Sequence, residues 1–213
     1  MNKYHVMRDH VRVLLSRKIQ SGELVPGDKL SELAVCSELG ISRTPAREAL
    51  LQLASEGVLE YISRRGFRIK NFPEAEKLEV YAVIEILDAL AAKLAVEYIN
   101  DGCITSMMEC ADMIDVTIKY KNYHDYYHLQ RKFHDTYRDI CGNSVLQKQL
   151  RDLLDSFVPH LYAKTPDDRL FKAFSESNSE HRRIINLFQE RNAQGLFDFI
   201  MNVHWSTKYK EMI

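Results

Sequence analysis

At Gly57 the spacing of apolar residues changes from a helical period to a strand period. The change falls inside a segment dense in arginine, ISRTPAREALLQLASEGVLEYISRRGFRI, from Ile41 to Ile69. Before it, Ala46, Ala49, Leu50 and Leu53 share one stripe of a helix, with Ser42 as its N-cap and Pro45 in the first turn, where a missing N–H costs little. Arg43, Thr44 and Arg47 fall on a face about 100° away at 3.6 residues per turn. After it, LEYI and FRI are short β-prone runs joined by SRRG, a hairpin whose tip carries Arg64, Arg65 and Gly66.

Two further helices precede this segment. Val11, Leu14, Leu15 and Ile19 keep helical spacing, and Ser21 with Gly22 closes that helix; VPGD at 25–28 is a turn. A short helix runs from about Ser31 to Leu39, with Gly40 placed to end it in a left-handed conformation. Three helices and a basic hairpin predict a winged helix-turn-helix over residues 1–70. The first turn of a recognition helix is the part that reaches base edges in the major groove of double-stranded DNA, where an arginine fork grips guanine O6 and N7. The exposed N–H groups at that helix start favour phosphate, and the hairpin tip can follow the neighbouring groove or backbone.

Charge points the same way. Residues 1–70 hold 12 Lys and Arg against 8 Asp and Glu, whereas residues 71–213 hold 17 against 22. Residues 9–70 resemble the DNA-binding domain of the GntR family of bacterial transcription regulators, with GELVPGDKLSE, LGISRTPAREALLQLASEGVL and RRGFRI standing as its hallmark segments. The resemblance implies DNA contacts from Arg43, Thr44, Arg47 and Gly66, with Arg64 or Arg65 on phosphates.

Residues 71–75, NFPEA, read as a linker, and residues 76–213 as an all-α domain: the chain is mainly α. Lys77 to Ile99 has a broad apolar face, and no later segment alternates like a strand. Helix breaks are expected near Asp101 and Gly102, near Gly142 and Asn143, around Pro159 and Pro166, at Ser175–Ser179 and at Asn192–Gly195. No apolar run reaches the roughly 18 residues of a membrane helix, and the charged N-terminus does not read as a signal peptide, so a cytoplasmic location is the expectation. Cys36, Cys103, Cys110 and Cys141 lack C-x-x-C spacing and read as reduced thiols.

Any chemistry lies in the histidines. A helix from His181 to the turn near Asn192, and one returning from Ala193 to His204, have arms of about 11 residues, roughly 16 Å each. Equal arms bring both imidazoles to one end. A third histidine on a facing helix, His134, then completes a facial set suited to Zn2+ or Ni2+ with an open position. The domain resembles the FCD effector domain of FadR-type regulators, in which an Asp and a His four residues apart join two later histidines to bind a metal. Phe133–His134, Gly142–Asn143, Glu180–His181 and His204 match that pattern; Gln130 replaces the Asp, and Ile84 stands where the family often has an Arg. Gln130 is then a marginal fourth ligand or a hydrogen-bond donor to bound water or effector. The alternative is a set of histidines that bind an organic ligand directly.

These features predict a homodimeric transcription regulator that reads a near-palindromic operator and senses a small molecule, an organic acid among the candidates. A metal-dependent hydrolase fused to a DNA-binding domain is the rival, but no general base or oxyanion device can be named in the sequence. A constitutive architectural DNA binder is the third reading.

Overall fold

The computed structural model describes residues 3–20, 23–71, 73–161 and 168–205. They fall into two compact units, Met1–Lys77 with Asp152–Thr165, and Leu78–Arg151 with Pro166–Ile213.

In the first unit, α1 (Lys3–Gln20), β1 (Lys29–Leu30), α2 (Glu32–Leu39), α3 (Arg43–Ser55), β2 (Leu59–Ile62) and β3 (Gly66–Ile69) form a winged helix-turn-helix. The closure of the helix expected at Ser21 and Gly22 lies outside the described residues. Ser31 caps α2, its Oγ accepting from the Ala34 N–H, and Gly40 ends it at φ 63°. Ser42 occupies the N-cap of α3 with extended backbone, yet its side chain makes no capping hydrogen bond, so the expected cap is positional only. At the other end Gly57 N–H donates to Ala54 and Val58 N–H to Leu53. This pair of bonds satisfies two carbonyls that the last helical turn leaves bare, and it requires the left-handed backbone, φ 78°, at Gly57. The helix-to-strand switch read from the sequence therefore has a specific hinge. Nothing lies within 4 Å of a Cβ added there, so Gly57→Ala should cost only the backbone penalty, about 1–2 kcal/mol, as a lower midpoint in urea.

The sheet order is β1-β3-β2, all antiparallel, with Leu30 opposite Phe67 and Ile62 opposite Gly66. The sequence did not announce β1, because two residues carry no period. Leu15, Ile19, Leu50, Leu53, Phe67 and Ile69 form the buried centre of this unit.

The second unit is helical: α4 (Glu74–Ala95), α5 (Asp101–Lys119), α6 (Tyr123–Arg138), α7 (Ser144–Leu161), α8 (Asp168–Gln189) and α9 (Ala193–Phe199), followed by a π-helical turn, Ile200–His204. The α4 and α7 helices contribute residues to both units. Asn100, Asn122 and Asn192 cap α5, α6 and α9 through their side-chain oxygens. The break expected near Asp101 and Gly102 falls just before them, between Ala95 and Asp101, with Asn100 capping α5. The end expected around Pro159 comes two residues after it: the backbone of α7 continues through Pro159 to Leu161, a site near enough to its end that little helix is lost to the missing N–H. One expected break is corrected. Ser175–Ser179 lies within α8, because Ser177 and Asn178 are buried and Asn178 donates to the Ala111 carbonyl at 2.9 Å, so tertiary bonding overrides a turn-like composition. Pro166 lies outside the described residues. Among the described residues no helix is long and apolar enough to cross a membrane.

Candidate nucleic-acid interface and candidate metal centre

The first turn of α3 separates its two faces cleanly. Ala46, Ala49 and Leu50 are buried, while Arg43, Thr44 and Arg47 are exposed. The Arg47 guanidinium lies 3.4 Å from Glu32 and 3.5 Å from the Tyr61 hydroxyl, so it stands beside the start of α2 and strand β2. At the hairpin tip Arg64 and Arg65 are exposed, and the turn is closed by the Arg65 N–H on the Ile62 carbonyl at 2.9 Å. Arg64 has φ 63° and Gly66 φ 86°. Gly66 therefore occupies a conformation that suits glycine at the point where β3 begins.

In the second unit His134 on α6, His181 on α8 and His204 on the π-helical turn are all buried and meet. His181 is not at the start of its helix, since α8 begins 13 residues earlier at Asp168, and the returning arm ends in a π turn rather than in continued α-helix. The hairpin of α8 and α9 still returns His204 to His181, with ring centroids 5.0 Å apart. Nε2 of His134 lies 3.3 Å from Nε2 of His181 and 3.2 Å from Nε2 of His204.

The tautomers follow from the partners of the other ring nitrogens. Tyr137 donates its hydroxyl proton to Asp88 at 2.9 Å, so its oxygen accepts from Nδ1–H of His134 at 2.6 Å. Asn178 spends its amide protons on Ala111 and Asp115, so its oxygen accepts from Nδ1–H of His181 at 3.2 Å. Glu180 accepts from Nδ1–H of His204 at 3.0 Å. With their protons on Nδ1, His134 and His181 turn Nε2 lone pairs toward each other, so that contact is not a hydrogen bond, and Nε2 of His204 lies beside them. Facing lone pairs cost energy unless a cation or a donor sits among them. Two imidazole nitrogens bound tetrahedrally to zinc at 2.0–2.1 Å are about 3.3–3.4 Å apart, so the observed separations already suit a shared ion. Nδ1 donors held by carboxylate, amide and phenol acceptors are the outer contacts that metal-binding histidines use.

Electrostatics keeps His134 and His181 neutral. Burial first, then the Arg138 charge, pushes the His134 pKa down to about 3 against the pull of Asp88. Burial and the two neighbouring imidazoles hold His181 well below the ordinary histidine value. Burial would raise Asp88, but Arg138 and His134 outweigh it and keep the carboxyl well below the usual range. Burial, reinforced by Asp88, holds Tyr137 as a phenol.

Gln130 lies one turn before His134 on α6, and its Oε1 is buried without a hydrogen-bond partner among the described residues. The atom left over is the amide oxygen, the one a fourth ligand would use. Ile84 is fully buried as core. Asp88, Tyr137, Arg138, Asn178 and Trp205 were not singled out in the sequence. Asp88 left one signal: it interrupts the buried stripe of Ile84, Ala91, Ala92 and Ala95 on α4.

The profile of the bacterial regulatory proteins, gntR family, matches residues 7–69, and that of the FCD domain matches residues 79–203. This chain belongs to the gntR family and carries an FCD domain. It is 28% identical over 147 residues to the gluconate operon transcriptional repressor of Bacillus subtilis, covering 68% of this chain and 60% of the repressor. It thus spans less than two thirds of that relative. It is 25% identical over 182 residues to the HTH-type transcriptional regulator YdhC of Bacillus subtilis, covering 84% of this chain and 80% of YdhC. The fold is that of McbR/YncC from Escherichia coli, with a TM-score of 0.82 at 20% identity over the whole of both chains. It is also that of a GntR regulator from Rhodococcus sp. RHA1, with a TM-score of 0.75 at 15% identity over 96% of each chain.

Proposed function

We propose that this gntR-family chain is a cytoplasmic, homodimeric transcription regulator. It reads a near-palindromic operator with the first turn of α3 and the β2–β3 hairpin, and its FCD domain senses a small metabolite at a three-histidine site that holds Zn2+ or Ni2+. One observation carries the DNA-reading half: Arg43, Thr44 and Arg47 are exposed together at the start of α3 while the adjacent stripe is buried. Arg43 and Arg47 would grip base edges, Thr44 and Gly66 would approach the duplex closely, and Arg64 and Arg65 would contact phosphate. Two protomers read two half-sites, which makes the operator an inverted repeat.

The sensing half is supported by the three convergent Nε2 atoms. His134, His181 and His204 would hold the ion, which supplies a Lewis-acidic position for an oxygen ligand. Gln130 Oε1 then accepts a hydrogen bond from bound water or from an effector hydroxyl, and a small organic acid has both groups required. Oε2 of Glu180 accepts from Nδ1–H of His204, the role of an acceptor that orients a metal-binding imidazole. An effector changes DNA affinity only by binding the DNA-competent and incompetent states unequally.

Selection of genomic fragments by the purified protein tests the regulator reading. Enrichment of one inverted-repeat motif is expected; recovery no better than the input pool would overturn it. On the recovered duplex, Arg65→Ala should weaken binding to operator and random DNA alike. Loss of one phosphate contact should reduce the slope of log affinity against log salt by about 1.

A further inference from the structure

Three donors converge on the carboxylate of Asp88, which is fully buried on α4. Oδ1 accepts from Arg138 Nε at 2.7 Å, and Oδ2 accepts from the Tyr137 hydroxyl at 2.9 Å and from Trp205 Nε1 at 2.7 Å. A buried ion pair such as Asp88–Arg138 is by itself weak evidence of anything but structure. The other two donors are different, because each adjoins a histidine of the cluster. Tyr137 accepts from His134, and Trp205 directly follows His204 at the exit of the π-helical turn.

The direction of the Tyr137 proton decides what His134 presents. A carboxylate can only accept, so it takes the one proton that Tyr137 has, and the phenol oxygen is left to accept from Nδ1–H. Were that proton released, Tyr137 could donate to Nδ1 instead, and the imidazole proton would move to Nε2. His134 would then aim an N–H, not a lone pair, at His181 and His204. On the second arm, a π turn holds one residue more than an α turn, and its relaxation would rotate the residues beyond it by about 100°. The indole bond to Asp88 pins the chain just after that turn, at the residue following His204.

We propose that Asp88 is a shared positioning residue of the three-histidine site, fixing the tautomer of His134 through Tyr137 and the aim of His204 through Trp205. The inference rests on the cluster being an ion site for its purpose, but its first arm is a property of the ion-free protein.

The test is Asp88→Asn, with Asp88→Asn/Arg138→Gln as a second variant in which no buried charge is stranded, each checked for folding by circular dichroism. An asparagine amide can donate to the Tyr137 oxygen and release its proton toward His134. Nitrogen-15 NMR of the zinc-free protein should show His134 as the Nδ1–H tautomer in the parent and shifted toward Nε2–H in the Asn variants. Zinc affinity, measured by chelator competition, should fall about 10–100-fold. Tyr137→Phe should keep the parent tautomer, since Asp88 Oδ2 is already 3.4 Å from Nδ1 and can take the proton bond directly. Trp205→Phe should weaken zinc without changing the His134 tautomer. An unchanged tautomer and zinc affinity in the folded Asn variants would overturn the proposal. A tautomer shift in a protein whose parent takes up no zinc would sustain the positioning role of Asp88 and overturn the ion reading instead.

Discussion

Replacing Arg43 or Arg47 by alanine is expected to collapse the ratio of operator to random-duplex affinity while leaving the protein folded. Each bidentate contact to a guanine edge is worth about 1–3 kcal/mol of discrimination, so loss of both arginines should lower the ratio by roughly 30-fold to about 20,000-fold. Both side chains are exposed, so stability should stay within about 0.5 kcal/mol. Fluorescence anisotropy with the selected duplex and a shuffled one, at fixed salt, gives the ratio directly. Variants that discriminate as well as the parent would show that α3 is not the reading helix.

Removal of His181 is the second large effect. Its imidazole is fully buried, its Nε2 lies 3.3 Å from that of His134, and its Nδ1 is oriented by Asn178. Two remaining imidazoles seldom hold a divalent ion against water, so His181→Ala should abolish zinc uptake at micromolar concentrations. Gln130→Asp should act in the opposite sense. A carboxylate one turn before His134 adds the charge that a neutral amide cannot, and it should tighten zinc binding by about 10-fold or more. Equal zinc affinity in the parent and in both variants would show that the ion, if held, is held elsewhere.

The DNA-binding unit was legible because its signals are local. The stripe of Ala46, Ala49, Leu50 and Leu53, the stop at Gly57 and the SRRG turn each depend on residues a few positions apart, and each appears where the spacing put it. The strand β1 escaped because it exists only by pairing with β3. In the helical unit, turn-like Ser175–Ser179 misled, since the bond from Asn178 to Ala111 joins residues 67 positions apart and has no trace in local composition. The meeting of His181 and His204 could be anticipated from arm lengths, although α8 starts well before His181. What could not be read was the set of acceptors behind the imidazoles. Asp88 reaches Tyr137 and Trp205 across 49 and 117 residues, and a lone acid on an apolar stripe marks a buried partner without naming it.

Most direct of all is a zinc titration of the untagged protein after removal of adventitious metal, with uptake measured by elemental analysis. The three-histidine ion site predicts one ion per chain, bound at micromolar concentration and lost in His181→Ala. No uptake at micromolar zinc or nickel, in either the parent or Gln130→Asp, would contradict the three-histidine ion site.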